Sequence, residues 1–213
     1  RVIINKNQMK KVILSLFAIA MSVSAIAQVK EVEVFKTSQN SKYDQLTVIY
    51  HTKDADYRKD MFEIKAGEQR IYLSSENMKN LATELRKAHK KCLEWDSIAN
   101  VNDIAKVMKD NNPTSFVTDG GMLYDTRTFK SVSPTAADYR FERFYSDYNK
   151  KSFTYMNFGV FQFSDTRVYN AHFGMTFEIN ADVKAFNDFL NFLDNCVQVS
   201  NEIVAKDKMN LFN

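Results

Sequence analysis

The chain has 213 residues, 29 basic and 26 acidic, with a formal net charge of +3 and a hydrophobic fraction of 45%. That hydrophobic fraction excludes a disordered chain. Two prolines and five glycines leave no room for a long flexible linker.

The chain opens with targeting features. Met9-Lys10-Lys11 is followed by the apolar run Val12 to Val23 and then by Ser24-Ala25-Ile26-Ala27. A positive start, an apolar middle and alanines at both recognition positions describe a secretory signal peptide over residues 9–27, cleaved after Ala27. A membrane span needs about 20 apolar residues. Val12 to Ala27 offers 16, interrupted by Ser15, Ser22 and Ser24. Gln28, not a cysteine, stands directly after the cleavage site, so a lipid anchor is not expected, and no transmembrane anchor is expected after cleavage. Residues 1–8 read as an upstream extension outside the fold.

Cleavage removes Arg1, Lys6, Lys10 and Lys11 and no acid, so the net charge of +3 becomes −1 over the remaining 186 residues, 28–213. Without a positive field or a clustered basic stripe, nucleic-acid binding is not expected. The remaining length suits a single domain with a sizeable core.

In chain order, Val29 to Phe35 alternates Val and Glu, and Leu46, Val48 and Tyr50 alternate again, both with the period of a strand. Phe62 and Ile64, then Ile71 and Leu73, flank Ala66-Gly67-Glu68, which reads as a hairpin turned by glycine. A long helix follows, capped by Ser74 or Ser75. Its stripe is Met78, Leu81, Leu85, Ala88, Cys92, Trp95 and Ala99. Ala105 and Met108 suggest a shorter helical piece over 102–110, stopped by Pro113.

Strands then resume. Phe116 to Tyr124 reads as a hairpin around Asp119-Gly120-Gly121. An aromatic-rich stretch covers Tyr139 to Phe163, and a long hairpin of 153–163 with 168–179 is closed by Ser164-Asp165-Thr166. Asn180 is the expected cap of the last helix, which runs to about Lys206. Its apolar set (Val183, Phe186, Phe189, Leu190, Phe192, Leu193, Cys196, Val197, Val199, Ile203) is broader than one stripe and implies burial on two sides.

This order gives an α+β fold, an antiparallel sheet of about seven to nine strands carrying two long amphipathic helices. A strands-then-helix duplication is suggested, with halves 28–112 and 113–213. Met78-Lys79-Asn80-Leu81 with Leu85 matches Val183-Lys184-Ala185-Phe186 with Leu190.

Candidate chemistry is sparse. In an oxidising compartment Cys92 and Cys196 read either as a disulfide stapling the two helices or as two buried thiols filling core positions. His89 shares a helix face with Cys92, but Cys92 lies too deep in its helix for the N-terminal field to activate it. Asp54, Asp56 and Asp60 read as a solvated turn, because calcium-loop spacing is absent. No metal, cofactor or catalytic motif is present.

Ten aromatics fall within Tyr139 to Phe163, with Arg140 and Arg143 among them. Tyr139, Arg140, Arg143 and Tyr145 are the expected exposed binding patch. Phe186, Phe189 and Phe192 are the candidate lining of a cavity between sheet and helix. The expectation is a non-enzymatic, periplasmic or secreted binding module that docks a protein or glycan partner. A carrier of a small apolar ligand and a hydrolase with dispersed acids are the alternatives.

Overall fold

The computed structural model describes residues 31–37, 45–52, 60–67, 69–111, 114–116, 120–122, 128–130, 135–162 and 172–209. The leader over 9–27, Asp54, Asp56 and the 164–166 turn lie outside these residues. Strands β1 (Glu31–Lys36), β2 (Leu46–His51), β3 (Met61–Ala66) and β4 (Gln69–Leu73) form an antiparallel meander. Gly67, at φ 58°, turns β3 into β4 as its sequence requires.

Helix α1 (Ser75–Val101) follows, and the Ser74 hydroxyl caps it by accepting from the Asn77 N–H at 3.3 Å. Then come β5 (Val107–Asp110), β6 (Thr114–Phe116), β7 (Gly120–Met122), β8 (Thr128–Lys130), β9 (Thr135–Ser146), β10 (Lys151–Gln162), β11 (His172–Glu178) and helix α2 (Val183–Met209).

The fold is α+β with antiparallel pairing throughout, but its strands form two sheets rather than one. The first runs β1-β2-β3-β4-β7-β8; the second runs β11-β10-β9-β5, with β6 also on β9. The segment expected to be a hairpin around Gly120 divides instead between the sheets. Phe116 in β6 pairs with Thr135 of β9, while Gly120 to Met122 pair with β4 and β8. Gly120 and Gly121 therefore sit inside a strand, not in a turn.

The expected helix over 102–110 is also replaced. The Asn102 N–H bonds back to Ile98 and Asp103 takes a left-handed φ of 51°, which ends α1. A nine-residue segment is marginal as an isolated helix, and Val107 to Asp110 pair instead with Arg140 to Arg143. At the second helix the expected cap moves by two residues. Asn180 lies in the turn, and Asp182 precedes α2, its carboxylate accepting the Glu178 N–H at 2.9 Å and its carbonyl accepting from Phe186.

The core lies between the helices and the inner faces of both sheets, as one cluster reaching from Phe35 and Val48 to Phe158 and Cys196. Each helix packs on both sheets. From α1, Trp95 packs on Tyr139 and Phe141 of β9 at 6.1 and 5.9 Å between ring centres. From α2, Phe192 meets Phe35 of β1 at 5.0 Å and Phe62 of β3 at 6.2 Å. The helices run antiparallel, since Ser75 at the start of α1 touches Cys196 while His89 stacks on Phe186 near the start of α2. The Gln69 side chain bridges the sheets, accepting from the Gly174 N–H at 2.8 Å.

The two helices have the same length, 27 residues, and the same inward phase. Aligned from their first residues, Asn77, Met78, Leu81, Ala82, Leu85, Ala88 and Cys92 fall on Ala185, Phe186, Phe189, Leu190, Leu193, Cys196 and Ser200, and all fourteen are buried. The sequence match of Met78 with Val183 is three residues out, because Met78 is fully buried and Val183 is 46% exposed. Val183 and Val197 both face solvent, so α2 buries one broad side and not two.

Candidate functional site

Strand alternation decides which of the aromatic-rich residues are available. On β9, Ala137, Phe141 and Arg143 are buried on the side facing α1, with Tyr139 half-buried against Trp95. Arg140, Glu142 and Phe144 point to the opposite face. The expected patch of Tyr139, Arg140, Arg143 and Tyr145 is thus divided between two faces of the sheet. Only Arg140, held by Asp110, and Tyr145, beyond the end of the helix contact, are exposed.

Arg143 is a structural residue. Its guanidinium donates to the Ile104 carbonyl at 3.0 Å, to Asp96 Oδ1 at 2.8 Å, to Asn100 Oδ1 at 2.7 Å and to Ser152 Oγ at 3.3 Å. Asp96 accepts further from Thr154 at 2.8 Å and from Asn100 at 3.2 Å. Every member has a partner, which is the condition for a buried polar network to hold rather than weaken a fold.

The outer face of the second sheet carries a different constellation. Phe144 on β9 pairs directly with Phe153 on β10, and Tyr155 lies two residues further along β10. Their ring centres are 5.5 Å (Phe144–Phe153), 5.8 Å (Phe144–Tyr155) and 6.5 Å (Phe153–Tyr155) apart, with planes within 24° of one another. The Lys151 ammonium lies 4.4 Å from the centre of Phe153, on the negative face of the ring.

A polar row borders the rings. Asn157 donates to Glu142 at 3.5 Å and accepts from the Thr176 hydroxyl at 2.8 Å. Phe144 is 37% exposed, Met108 on the neighbouring β5 is 54% exposed, and Tyr148, in the turn joining β9 to β10, is 96% exposed. The signal for this face was present as alternation: Phe144, Phe153 and Tyr155 fall on the parity opposite to Phe141 and Met156.

A second buried charge cluster lies on the first sheet. His51 Nε2 and Glu63 Oε2 are 2.8 Å apart, and Glu63 Oε1 accepts from Arg70 at 3.1 Å with Lys65 at 3.6 Å. Burial pushes the Glu63 carboxyl up. The His51 hydrogen bond and the charges of Lys65 and Arg70 outweigh it and hold the carboxyl below its usual range. His51 and Glu63 are 0% and 1% exposed, which closes them to a substrate.

The cysteines do not meet. Cys196 Sγ lies 3.6 Å from the Ser75 carbonyl, and Cys92 is seventeen residues further along α1, about 25 Å at 1.5 Å per residue. A disulfide requires Cα atoms within about 7 Å, so the stapling reading gives way to two buried thiols. Burial pushes the Cys92 thiol up to about 12 and the Cys196 thiol up as well, which keeps both protonated. His89 is stacked 4.4 Å from Phe186 and its pKa is lowered by burial.

Phe186, Phe189 and Phe192 are members of the buried core cluster. Phe186 meets Phe177 at 5.0 Å, Phe189 meets Phe35 at 5.5 Å, and all three are at most 7% exposed. A shallow open groove on the outer side of α2 is lined by Asp194, Val197, Gln198, Asn201 and Glu202. Among the described residues, no group of three or more His, Cys, Asp or Glu side chains is arranged to hold a metal, and no helix is long and apolar enough to cross a membrane.

No family model, curated protein or solved structure matches this chain.

Proposed function

We propose that the protein is an exported, non-enzymatic binding module that docks its partner on the outer face of the second sheet. The observation that carries this reading is the set of Phe144, Phe153 and Tyr155, whose rings lie nearly parallel on the sheet face opposite the helices. Apolar rings of this kind gain by covering from water, and aromatic residues are the usual anchors of recognition surfaces.

The rival readings have less behind them. The phenylalanines named for a carrier cavity belong to the buried core cluster, where they meet Phe35, Phe62 and Phe177. Among the described residues the buried carboxylates are Glu63 and Asp96, each tied to an arginine in a different cluster, so these two do not face one another as a hydrolytic pair. Export follows from the leader over residues 9–27 and belongs to the same proposal, with the module residing in the periplasm or outside the cell.

The test is retention in the envelope. Replacing Phe144 with Ser should release the exported protein from envelope fractions into the soluble fraction. Val101→Ser, at an 81% exposed position on α1, should leave the distribution unchanged. Equal distribution of both variants and the parent would refute the docking face.

A further inference from the structure

His51 is buried on the first sheet between carboxylates from two strands, and one of those strands is an edge. Its Nε2 lies 2.8 Å from Glu63 Oε2 on β3, and its Nδ1 lies 3.7 Å from Glu31 Oε1 on β1. Among the described residues, Lys65 of β3 and Arg70 of β4 complete the charged surroundings, both turned to Glu63 Oε1. Tyr72 of β4 meets the ring edge-on at 5.9 Å, and the Asp60 carboxylate accepts from the Tyr50 hydroxyl instead.

The two ring nitrogens are not equivalent. An ionised carboxylate only accepts, so Nε2 keeps its proton and donates it to Glu63. Glu63 stays ionised around neutral pH, since its carboxyl is held below the usual range. Protonation of the ring therefore takes place at Nδ1, the atom that faces Glu31. A cationic ring attracts the Glu31 carboxylate; a neutral ring turns a lone pair towards it.

The backbone at Glu31 is the part of β1 that such a change can move. Glu31 pairs with His51, Val32 with Tyr50 and Glu33 with Ile49, and the register then shifts before Phe35. Beyond the shift β1 is pinned by Phe35, whose ring lies 5.5 Å from Phe189 and 5.0 Å from Phe192. Before it, Glu31 and Glu33 are exposed and Val32 is half-buried. A short edge ladder with so little buried apolar surface opens locally.

We propose that His51 is a pH-sensitive latch for the first half of β1. The protonated ring holds Glu31, and with it residues 31–33, against β2; loss of the Nδ1 proton frees them. Release uncovers the backbone edge of β2 from Ile49 to His51, while β2 stays paired with β3.

Hydrogen exchange of the purified protein, read by mass spectrometry and corrected for the intrinsic pH dependence of amide exchange, tests this. The series runs from about pH 5.5 to about pH 8.5, the range in which imidazoles titrate. Protection over residues 31–33 should fall about threefold towards the alkaline end, the scale of a partly exposed ion pair, while protection over 62–65 of β3 stays level. Glu31→Gln replaces a side chain that is 54% exposed and leaves the His51–Glu63 pair in place; in this variant the fall should vanish. Proton–nitrogen NMR of the His51 ring over the same series should show Nδ1 losing its proton as protection falls. Level protection over 31–33 in the parent, an equal fall in Glu31→Gln, or a ring whose Nδ1 does not change across the series would each overturn the latch.

Discussion

Arg143 on β9 and Asp96 on α1 stand 2.8 Å apart, each side chain 9% exposed, and join the helix of the first half to the sheet of the second. The pair sits in a network that also holds Thr154, Asn100 and Ser152. Its removal is costly because the surviving partner stays buried and uncompensated. Asp96→Ala should lower the unfolding free energy by about 3–5 kcal/mol. Adding Arg143→Met to it should recover a large part of that loss, since the orphaned charge goes. Urea denaturation of the two single variants and the double variant measures the coupling.

Glu63 gives the molecule an acid-sensitive joint. Its folded carboxyl lies below the ordinary value of 4.5. The group therefore stabilises the fold above its unfolded pKa, and that contribution is lost as pH falls through the depressed folded value. The melting temperature should drop as pH is lowered from about 5 towards 3. Glu63→Gln should be less stable at neutral pH by about 3 kcal/mol, with a shallower fall on the acid side. A melting series from pH 7 to pH 3 on both proteins checks the slope, and equal slopes would exclude Glu63 as the origin.

The cysteines should behave as two protected thiols. In the native protein purified from an exporting host, iodoacetamide should add nothing within the time that alkylates a free peptide thiol, because Cys92 and Cys196 are 0% exposed and protonated. In denaturant without reductant, two alkyl groups should add. Mass spectrometry reads both states, and a denatured protein that takes no label until it is reduced would contradict the separation of the cysteines along α1.

The halves 28–112 and 113–213 are proposed to be a duplication whose helices each pack on both sheets. Neither half should then fold alone. The first would lose Phe192 from above Phe35 and Phe62, and Arg143 from beside Asp96. Expressed separately, both should lack a cooperative melt; mixed from denaturant, they should recover one. A folded isolated half would count against this shared packing.

Much of this architecture is legible in the sequence, and the misses share a cause. Periodicity marks α1 through Met78 to Ala99 and the β3–β4 turn through Gly67, because each signal is local. It cannot show that Phe116 and Gly120 belong to different sheets, since partners are chosen by tertiary pairing that local pattern does not encode. Val107 to Asp110 carries helix-compatible spacing yet becomes an edge strand, its pairing with β9 supplying what so short a helix could not.

The candidate surface is divided for a related reason. Tyr139, Arg140, Arg143 and Tyr145 are near neighbours in sequence, whereas a strand sends neighbours to opposite faces. Parity separates Arg143 from Phe144, and the β9–β10 turn at 147–150 sets the register that pairs Phe144 with Phe153. That turn has no glycine; Lys150 takes its positive φ of 52°.

Photo-cross-linking at position 144 tests the central claim most directly. A benzophenone amino acid there, in the exported protein in its native host, sits on the outer sheet face, and the same group at position 101 serves as the control on α1. The account predicts an irradiation-dependent adduct of defined mass at 144 and none at 101. No adduct at 144, or the same adduct at both positions, would contradict it.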